Sequence, residues 1–590
     1  MPTEVSSYVE LSALFPGREC TLPYLAECLG ALPLDLVLTM CARANQVASG
    51  PGPLSRIERQ QKLANSLLPT EVGKRLNEVV RTRCGGNPAR ITLFFRAQLL
   101  ELTRWALLFC SNEQWPVERP WTQTEKDLFV QAALICSRIT ESKVLAVLGG
   151  NTSGPALKDI RLVFFRSALD AALIGPDPCR VVGRAQQLFL EYLPKYYRDL
   201  DSDFKRAAGA SLLEYMTAAG ALVAMHLQLD SSMILADAIS LGSDTEYAEV
   251  YQAYQRRQVW DADSLRETFW PGKTVPQSFD EVPAFNIKPL REKPIIALGD
   301  GRGAIPDPIL LADSVLIGPA FQLAQVKEPN YVFGCLGDAF EEYACDILGR
   351  MFPYRRGLHQ ILHRKVPAVD EQRHTFEIDA CLDYIETLVL IEAKAVFMSD
   401  PPVTACDEAA FRAELERKYL RGERDVGIAQ LARAMRSIAA GTWTGLGRPG
   451  AVKLVYPVLV VHDRLLVEPS VTEALAEMLV SELGATPVPA SWQWRIDGLG
   501  CPLRFAPLTM LTIGDLEDLE ESVGNVAFLS LLQAYSAAVP NRRGSLQDFV
   551  ASSEFRNAMR MNRTLAVAGQ SFIREAARRI FGRDVGARIE

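Results

Sequence analysis

Over the first 270 residues, apolar side chains recur three and four positions apart, the spacing that gives a helix one buried face. Thr122-x-x-Glu125 ahead of Leu128, Phe129, Ala132 and Ile135 predicts a helix opened by a capping box and stopped by Gly149-Gly150. A second helical stretch is expected over roughly 186 to 240, and no fixed-period repeat is visible. After Trp270 the pattern breaks. Pro271, Pro276, Pro283, Pro289, Pro294, Pro306 and Pro308 crowd a segment where each removes a backbone donor. Residues 271–330 are therefore expected to be a Pro-rich connector behind a helical domain, 1–270. Gly299-Asp-Gly-Arg-Gly303 lacks both the Lys-Ser/Thr ending of a phosphate loop and dinucleotide-fingerprint spacing, so it predicts a plain turn.

Beyond 330 the period alternates between helix and strand. Gly337 to Arg350 carries Phe340, Ala344, Ile347 and Leu348 on one helical side, and residues 358–367 suggest a strand. Phe376 to Tyr384 alternates, Leu388 to Phe397 is almost continuously apolar, and Asp425 to Ala439 is amphipathic through Ile428, Leu431, Met435 and Ile438. Leu454 to His462 is strand-like, and Ser470-x-x-Glu473 predicts a capped helix after it. Helix, three strands, helix, strand is the order of an α/β unit, expected over 331–485, with a mostly helical C-terminal extension over 486–590. The fold class expected is thus multidomain α+β: a mainly α-helical N-terminal half followed by an α/β core of order αβββαβ.

At 590 residues the chain has room for two to four domains, and 48% hydrophobic against 23% charged residues excludes wholesale disorder. A formal charge of -8 gives no global field toward nucleic acid, so any polyanion contact must be local. Twelve cysteines without a Cys-x-x-Cys pair point to reduced thiols and a cytoplasmic setting rather than a disulfide framework or zinc module. No basic n-region or long apolar run suggests a leader or membrane span, and no membrane contact is expected.

One strand carries chemistry. Acid-x-Lys triplets also occur at Glu141/Lys143, Asp203/Lys205 and Glu416/Lys418, in segments that read as solvated helix or polar stretches. Only Glu392-Ala-Lys394 interrupts an apolar strand, which places both charges on one face and Ile391, Ala393 and Ala395 on the other. A hairpin turn centred between Ile385 and Glu386 would set Asp379 directly across from Glu392. Two carboxylates within about 5 Å of each other repel unless a hard cation neutralises them, which suits Mg²⁺, and a lysine beside that ion can act on a water or a phosphate.

These residues resemble the PD-(D/E)XK nuclease superfamily, with Asp379 as the first acid and Glu392-Ala-Lys394 as the second motif. The likeness covers about 331–465, and Ile378 stands where the superfamily often has Pro. It implies a restriction-endonuclease-like core and Mg²⁺, replaceable by Mn²⁺, held by Asp379, Glu392, the Ala393 carbonyl and an accessory Glu341. Lys394 would act on the attacking water. Glu341 is preferred to Glu342 because it follows Phe340 in a Gly-x-x-Phe-Glu pattern, and Gln430 matches a supporting glutamine although position 434 is Ala rather than Tyr. The implied activity is endonuclease cleavage of nucleic acid, DNA before RNA, in the manner of a bacterial antiviral defence or restriction effector. The helical half would regulate it or mediate partner or homo-oligomer contacts.

Local basic residues accompany the motif: Arg355, Arg356, Arg364 and Lys365 before Asp379, Arg433 beside Gln430, and eight Arg against three acids in 556–590. The competing reading is a non-catalytic nucleic-acid- or protein-binding scaffold, its acids forming an ion-pair cluster at a sheet edge. His359-x-x-x-His363 lacks the further ligands of a metal motif, His374 and His462 read as structural histidines, and Cys335, Cys345 and Cys381 as buried apolar residues.

Overall fold

The computed structural model describes residues 7–49, 56–88, 91–113, 115, 119–147, 177–228, 248–281, 288–298, 303–353, 360–369, 374–396, 407–421, 427–443, 451–462, 464–496, 502–522, 528–538, 545–555, 559–560 and 562–581. It is mixed α+β: a mainly helical first half precedes an eight-stranded mixed sheet. Among the described residues no single helix is long and apolar enough to cross a membrane.

Buried apolar residues form three groups. The first joins helices between Leu11 and Val147 to Leu265, Phe269, Trp270, Leu290 and Ile296. The second runs from Cys179 through Tyr254, the stretch from Ile295 to Phe352, one face of the sheet and the C-terminal helices. The third lies under the opposite sheet face. The helical half is therefore divided, and its part from Cys179 to Tyr254 shares a core with the sheet.

The sheet unit begins with α1 (Pro329–Met351), β1 (Ile361–Val369), β2 (Thr375–Asp383) and β3 (Thr387–Lys394). Then come α2 (Glu408–Tyr419), α3 (Ile428–Ala439), β4 (Leu454–Val461) and α4 (Pro469–Leu483). Strands β1, β2 and β3 form an antiparallel meander, whereas β4 joins β3 in parallel after α2 and α3. A parallel neighbour requires such a crossover. Four short strands follow, β5 (Thr486–Pro487), β6 (Trp494–Ile496), β7 (Leu503–Phe505) and β8 (Thr509–Thr512), and lead into α5 (Ile513–Glu520). Strands β7 and β8 pair successively with β4, to Leu454–Val455 and then Val458–Val461. The change of neighbour falls at Tyr456 and Pro457, which is where a central strand can best accommodate a residue with no N–H.

Several expectations need correction. The proline-dense stretch is not a bare connector, because it contains a buried helix, Pro308–Leu323, that starts with proline at a position needing no amide donor and carries Pro319 within it. The C-terminal extension is mostly helical, as expected, but β5 to β8 within it also complete the sheet. The stretch from 186 is helical but interrupted, with a π-helical turn at Gln187–Tyr192 and short helices before Leu212–Gln228, and residues 229–240 lie outside the described residues. The capping box at Thr122 forms as expected, with Glu125 N–H donating to Thr122 Oγ1 at 3.2 Å and Thr122 N–H to Glu125 at 2.7 Å. Gly149 and Gly150 lie outside the described residues. Ser470 caps nothing, because α4 begins one residue earlier, at Pro469, with Glu468 as its flanking residue. Asp203 is not solvated charge: it is buried and bonded by Tyr197 and Arg206.

Candidate active site

The β2–β3 hairpin closes tightly, with Tyr384 N–H donating to the Thr387 carbonyl at 2.9 Å. Loop length then fixes the register. Asp383 pairs with Leu388 and the ladder runs up to Ala380 opposite Ile391, so its next step sets Asp379 across from Glu392. Regular pairing stops there. Asp379 Oδ2 accepts the Ala393 N–H at 2.8 Å, and on the other side the β1–β2 ladder skips Lys365 and Asp379. Ile378 and Cys381, three residues apart, enter the same core, as a local irregularity at Asp379 requires. Such a kink re-aims a side chain out of the strict alternation of a strand. Lys365 lies opposite it at φ 49, in the left-handed region where a non-glycine residue is strained.

At the end of β3, Glu392 is 0% exposed, and neither of its carboxylate oxygens has a hydrogen-bond partner. Its charged neighbour is the Lys394 ammonium at 3.4 Å. Lys394 Nζ donates to Glu341 Oε1 at 2.6 Å, from the middle of α1. Asp379, Glu392, Lys394 and Glu341 thus meet at one place.

The electrostatics follow from three acids sharing one ammonium. Burial, then the Asp379 charge, pushes the Glu392 carboxyl well above the usual carboxylate range. Burial, only partly opposed by Lys394, raises Glu341 to about 7. Burial works against the charge on Lys394, yet Glu392, Asp379 and Glu341 outweigh it and hold the ammonium protonated far above its ordinary range.

Glu342 points elsewhere, bonded to Lys195 Nζ at 2.7 Å and to the Tyr196 hydroxyl, which separates it from Glu341 as sequence phase alone could not. Gln430 is occupied by the backbone beside the site. Its Oε1 accepts the Gly427 N–H at 3.1 Å and its Nε2 donates to the Glu377 carbonyl at 3.3 Å, so its amide caps α3 and ties that helix to β2. The Arg433 guanidinium lies 4.6 Å over the Phe376 ring. Arg364 is paired with Asp346, and Lys365 is exposed. Arg355, Arg356 and His359 lie outside the described residues, and His363 belongs to a strand rather than a helix.

Among the described residues no three His, Cys, Asp or Glu side chains form a ready metal cluster. What suits a divalent ion is narrower: the buried oxygens of Glu392 beside Asp379 are hard donors, and an ion there would take the place of the proton that burial and the Asp379 charge hold on Glu392. Sequence reasoning missed Gly427, whose φ of 50 and close approach to Tyr419 and Lys394 let α3 start against the site. A glycine three residues before a capping Gln was its only signal.

No protein-family model matches the chain, and no curated protein or solved structure is significantly similar to it.

Proposed function

We propose that this chain is a metal-dependent nuclease of the restriction-endonuclease-like kind, hydrolysing phosphodiester bonds of nucleic acid, DNA in preference to RNA. The observation that carries the reading is Glu392. A fully buried carboxyl next to Asp379 and Lys394 can ionise only if a cation beyond Lys394 replaces the proton that burial and Asp379 hold on it, and a divalent ion does so. The helix, meander, crossover and parallel strand that deliver these residues support it.

Asp379, Glu392 and the Ala393 carbonyl would hold Mg²⁺ or Mn²⁺. Bound there, the ion would supply Lewis-acid polarisation of the scissile phosphate. Lys394, held charged by its carboxylates, is a donor rather than a base: it orients water and offsets negative charge growing on phosphorus oxygens. Glu341 fixes that ammonium in place. Lys365 is the exposed cation nearest Asp379 in register and would meet the backbone of the substrate. The helical half would regulate the site, and the resemblance to defence and restriction effectors gives the proposed setting.

A second reading, a scaffold with a degenerate nuclease fold, is favoured by the absence of a ready three-ligand cluster among the described residues and by the formed Lys394–Glu341 pair. One experiment separates the two. Plasmid, single-stranded DNA and RNA are incubated with the protein and with its Asp379→Ala and Lys394→Ala variants, in Mg²⁺, Mn²⁺ or chelator. The nuclease reading expects metal-dependent cleavage that falls about 100-fold or more in each variant. Binding without cleavage in any cation supports the scaffold.

A further inference from the structure

Helix α1 is unusual in its charge. Asp338, Glu341, Glu342 and Asp346 all lie within a stretch of nine residues, and acids four apart on a helix repel. The helix tolerates this because different elements hold successive side chains. Glu341 goes to Lys394 on β3. Glu342 accepts from Lys195 at 2.7 Å and from the Tyr196 hydroxyl. Tyr343 donates to Glu517 on α5 at 2.9 Å. Asp346 accepts from the Tyr192 hydroxyl at 2.8 Å and from Arg364 on β1.

Three of these partners come from one short piece of the helical half, Gln187–Tyr196, where a π-helical turn runs into a four-residue helix. A π turn shifts side chains around the axis relative to an α-helix, and here Tyr192, Lys195 and Tyr196 all reach α1. The Lys195 ammonium also lies 4.4 Å over the Tyr192 ring, and the Tyr192 ring meets Tyr343 at 5.4 Å. The cluster therefore holds α1 at Glu342, Tyr343 and Asp346, directly C-terminal to Glu341.

We infer that Tyr192, Lys195 and Tyr196 form a clamp that sets the rotation of α1, and that through this clamp the helical half controls whether Glu341 engages Lys394. Tyr192, Lys195 and Tyr196 are positioning residues: their contacts on α1 are with Glu342, Tyr343 and Asp346 and not with Glu341 itself. Release of Glu342 leaves a carboxylate facing Asp338 and Asp346 without its cation, and the helix relieves that repulsion by turning or fraying. Glu341, one residue earlier, moves with it. The functional consequence rests on the nuclease reading, whereas the mechanical coupling does not.

The test compares the full chain with Lys195→Met/Tyr196→Phe and with Lys195→Arg. Two readouts are used. The first is modification of Lys394 by a limiting amine-acylating reagent, read by mass spectrometry, which reports the Lys394–Glu341 contact without any catalysis. The second is single-turnover cleavage of plasmid at varied Mn²⁺. The double variant is expected to label Lys394 several-fold faster, to cleave about 10- to 100-fold more slowly with its KM for DNA little changed, and to need more Mn²⁺ for half-maximal rate. Lys195→Arg, which keeps the ion pair, is expected to restore both. Lys394 labelling unchanged in a double variant that melts like the parent overturns the clamp, whether or not the parent cleaves. Faster labelling with no cleavage in the parent upholds the clamp and rejects the nuclease reading.

Discussion

Replacing Glu392 by Gln is expected to stabilise the metal-free protein and abolish cleavage together. Glu392 is fully buried, its oxygens accept no hydrogen bond, and its carboxyl is pushed well above the usual range by burial first and by Asp379 next. Attraction to Lys394 at 3.4 Å is about 5 kcal/mol in an effective dielectric of ~20. Against it stand the desolvation of a buried ion, several kcal/mol, and repulsion from two further carboxylates. Removing the charge does not orphan the ammonium, because Glu341 remains bonded to it at 2.6 Å. The upward displacement shows that the opposing effects win, so the Gln variant is expected to be the more stable at neutral pH, by about 1 kcal/mol or more, the ordinary scale of a single substitution. The sign with pH is definite. A carboxyl raised by folding favours the native state below its unfolded value of about 4.5, and that contribution is lost as pH climbs through the folded value. Urea unfolding in chelator, followed by tryptophan fluorescence near pH 5 and near pH 8, checks this: the advantage of the Gln variant should be larger at the higher pH. A variant less stable than the parent at pH 8, or a gain independent of pH, refutes the reasoning.

Glu517→Gln is expected to cost about 3–5 kcal/mol, because Glu517 is buried between Arg184, Arg180 and Tyr343 and its loss leaves two guanidinium groups undercompensated. Despite burial, those arginines hold the Glu517 carboxyl below its ordinary range, so its contribution is present above about pH 4.5 and lost on acidification; denaturation curves of variant and parent should converge as pH falls. Gly569→Ala would put a methyl carbon 1.8 Å from the Cys179 carbonyl oxygen, forcing apart the helices Pro178–Gln186 and Arg563–Phe581, and should lower stability by about 3 kcal/mol or more in thermal melts. Gly427→Ala, at φ 50 with a new carbon 3.2 Å from the Tyr419 ring, should cost about 1–3 kcal/mol by the same measurement.

The hairpin and its acids were legible because a tight turn converts sequence distance into register. Once Ile385 and Glu386 are placed at the tip, Asp379 must approach Glu392, and the apolar run around Ile391 says which strand is buried. The order of elements was legible for the same reason: β1 to β4 are long enough to display a period. Strands β5 to β8, of two to four residues, show none, and only tertiary pairing, of β7 and β8 with β4 and of β5 and β6 outward from β7, reveals them. Proline density misled about Pro308–Leu323, since Pro308 opens a helix that the count treats as broken. The near partners of Arg364, Arg433 and Gln430, in Asp346, Phe376 and the Gly427 amide, were not legible because sequence distance conceals them. The clamp on α1 was illegible because Tyr196 and Glu342 are 146 residues apart.

Several departures from regular structure meet around the end of β3. Both ladders of β2 fail at Asp379, Lys365 is held left-handed beside it, Gly427 takes a glycine-only conformation against Lys394, and Glu392 is buried without a hydrogen bond. A cluster kept for stability would match charges one to one and satisfy its oxygens, as Arg180 and Arg184 do with Glu517 and Asp518 in the same protein. The two clusters share a chain and a degree of burial, so the contrast does not come from a general tolerance of strain. Around Asp379 and Glu392 three carboxylates face one ammonium, and the backbone bends to bring them there. Local cost of that kind persists where surrounding structure enforces it, and it is the feature that the proposed nuclease reading explains and the scaffold reading does not.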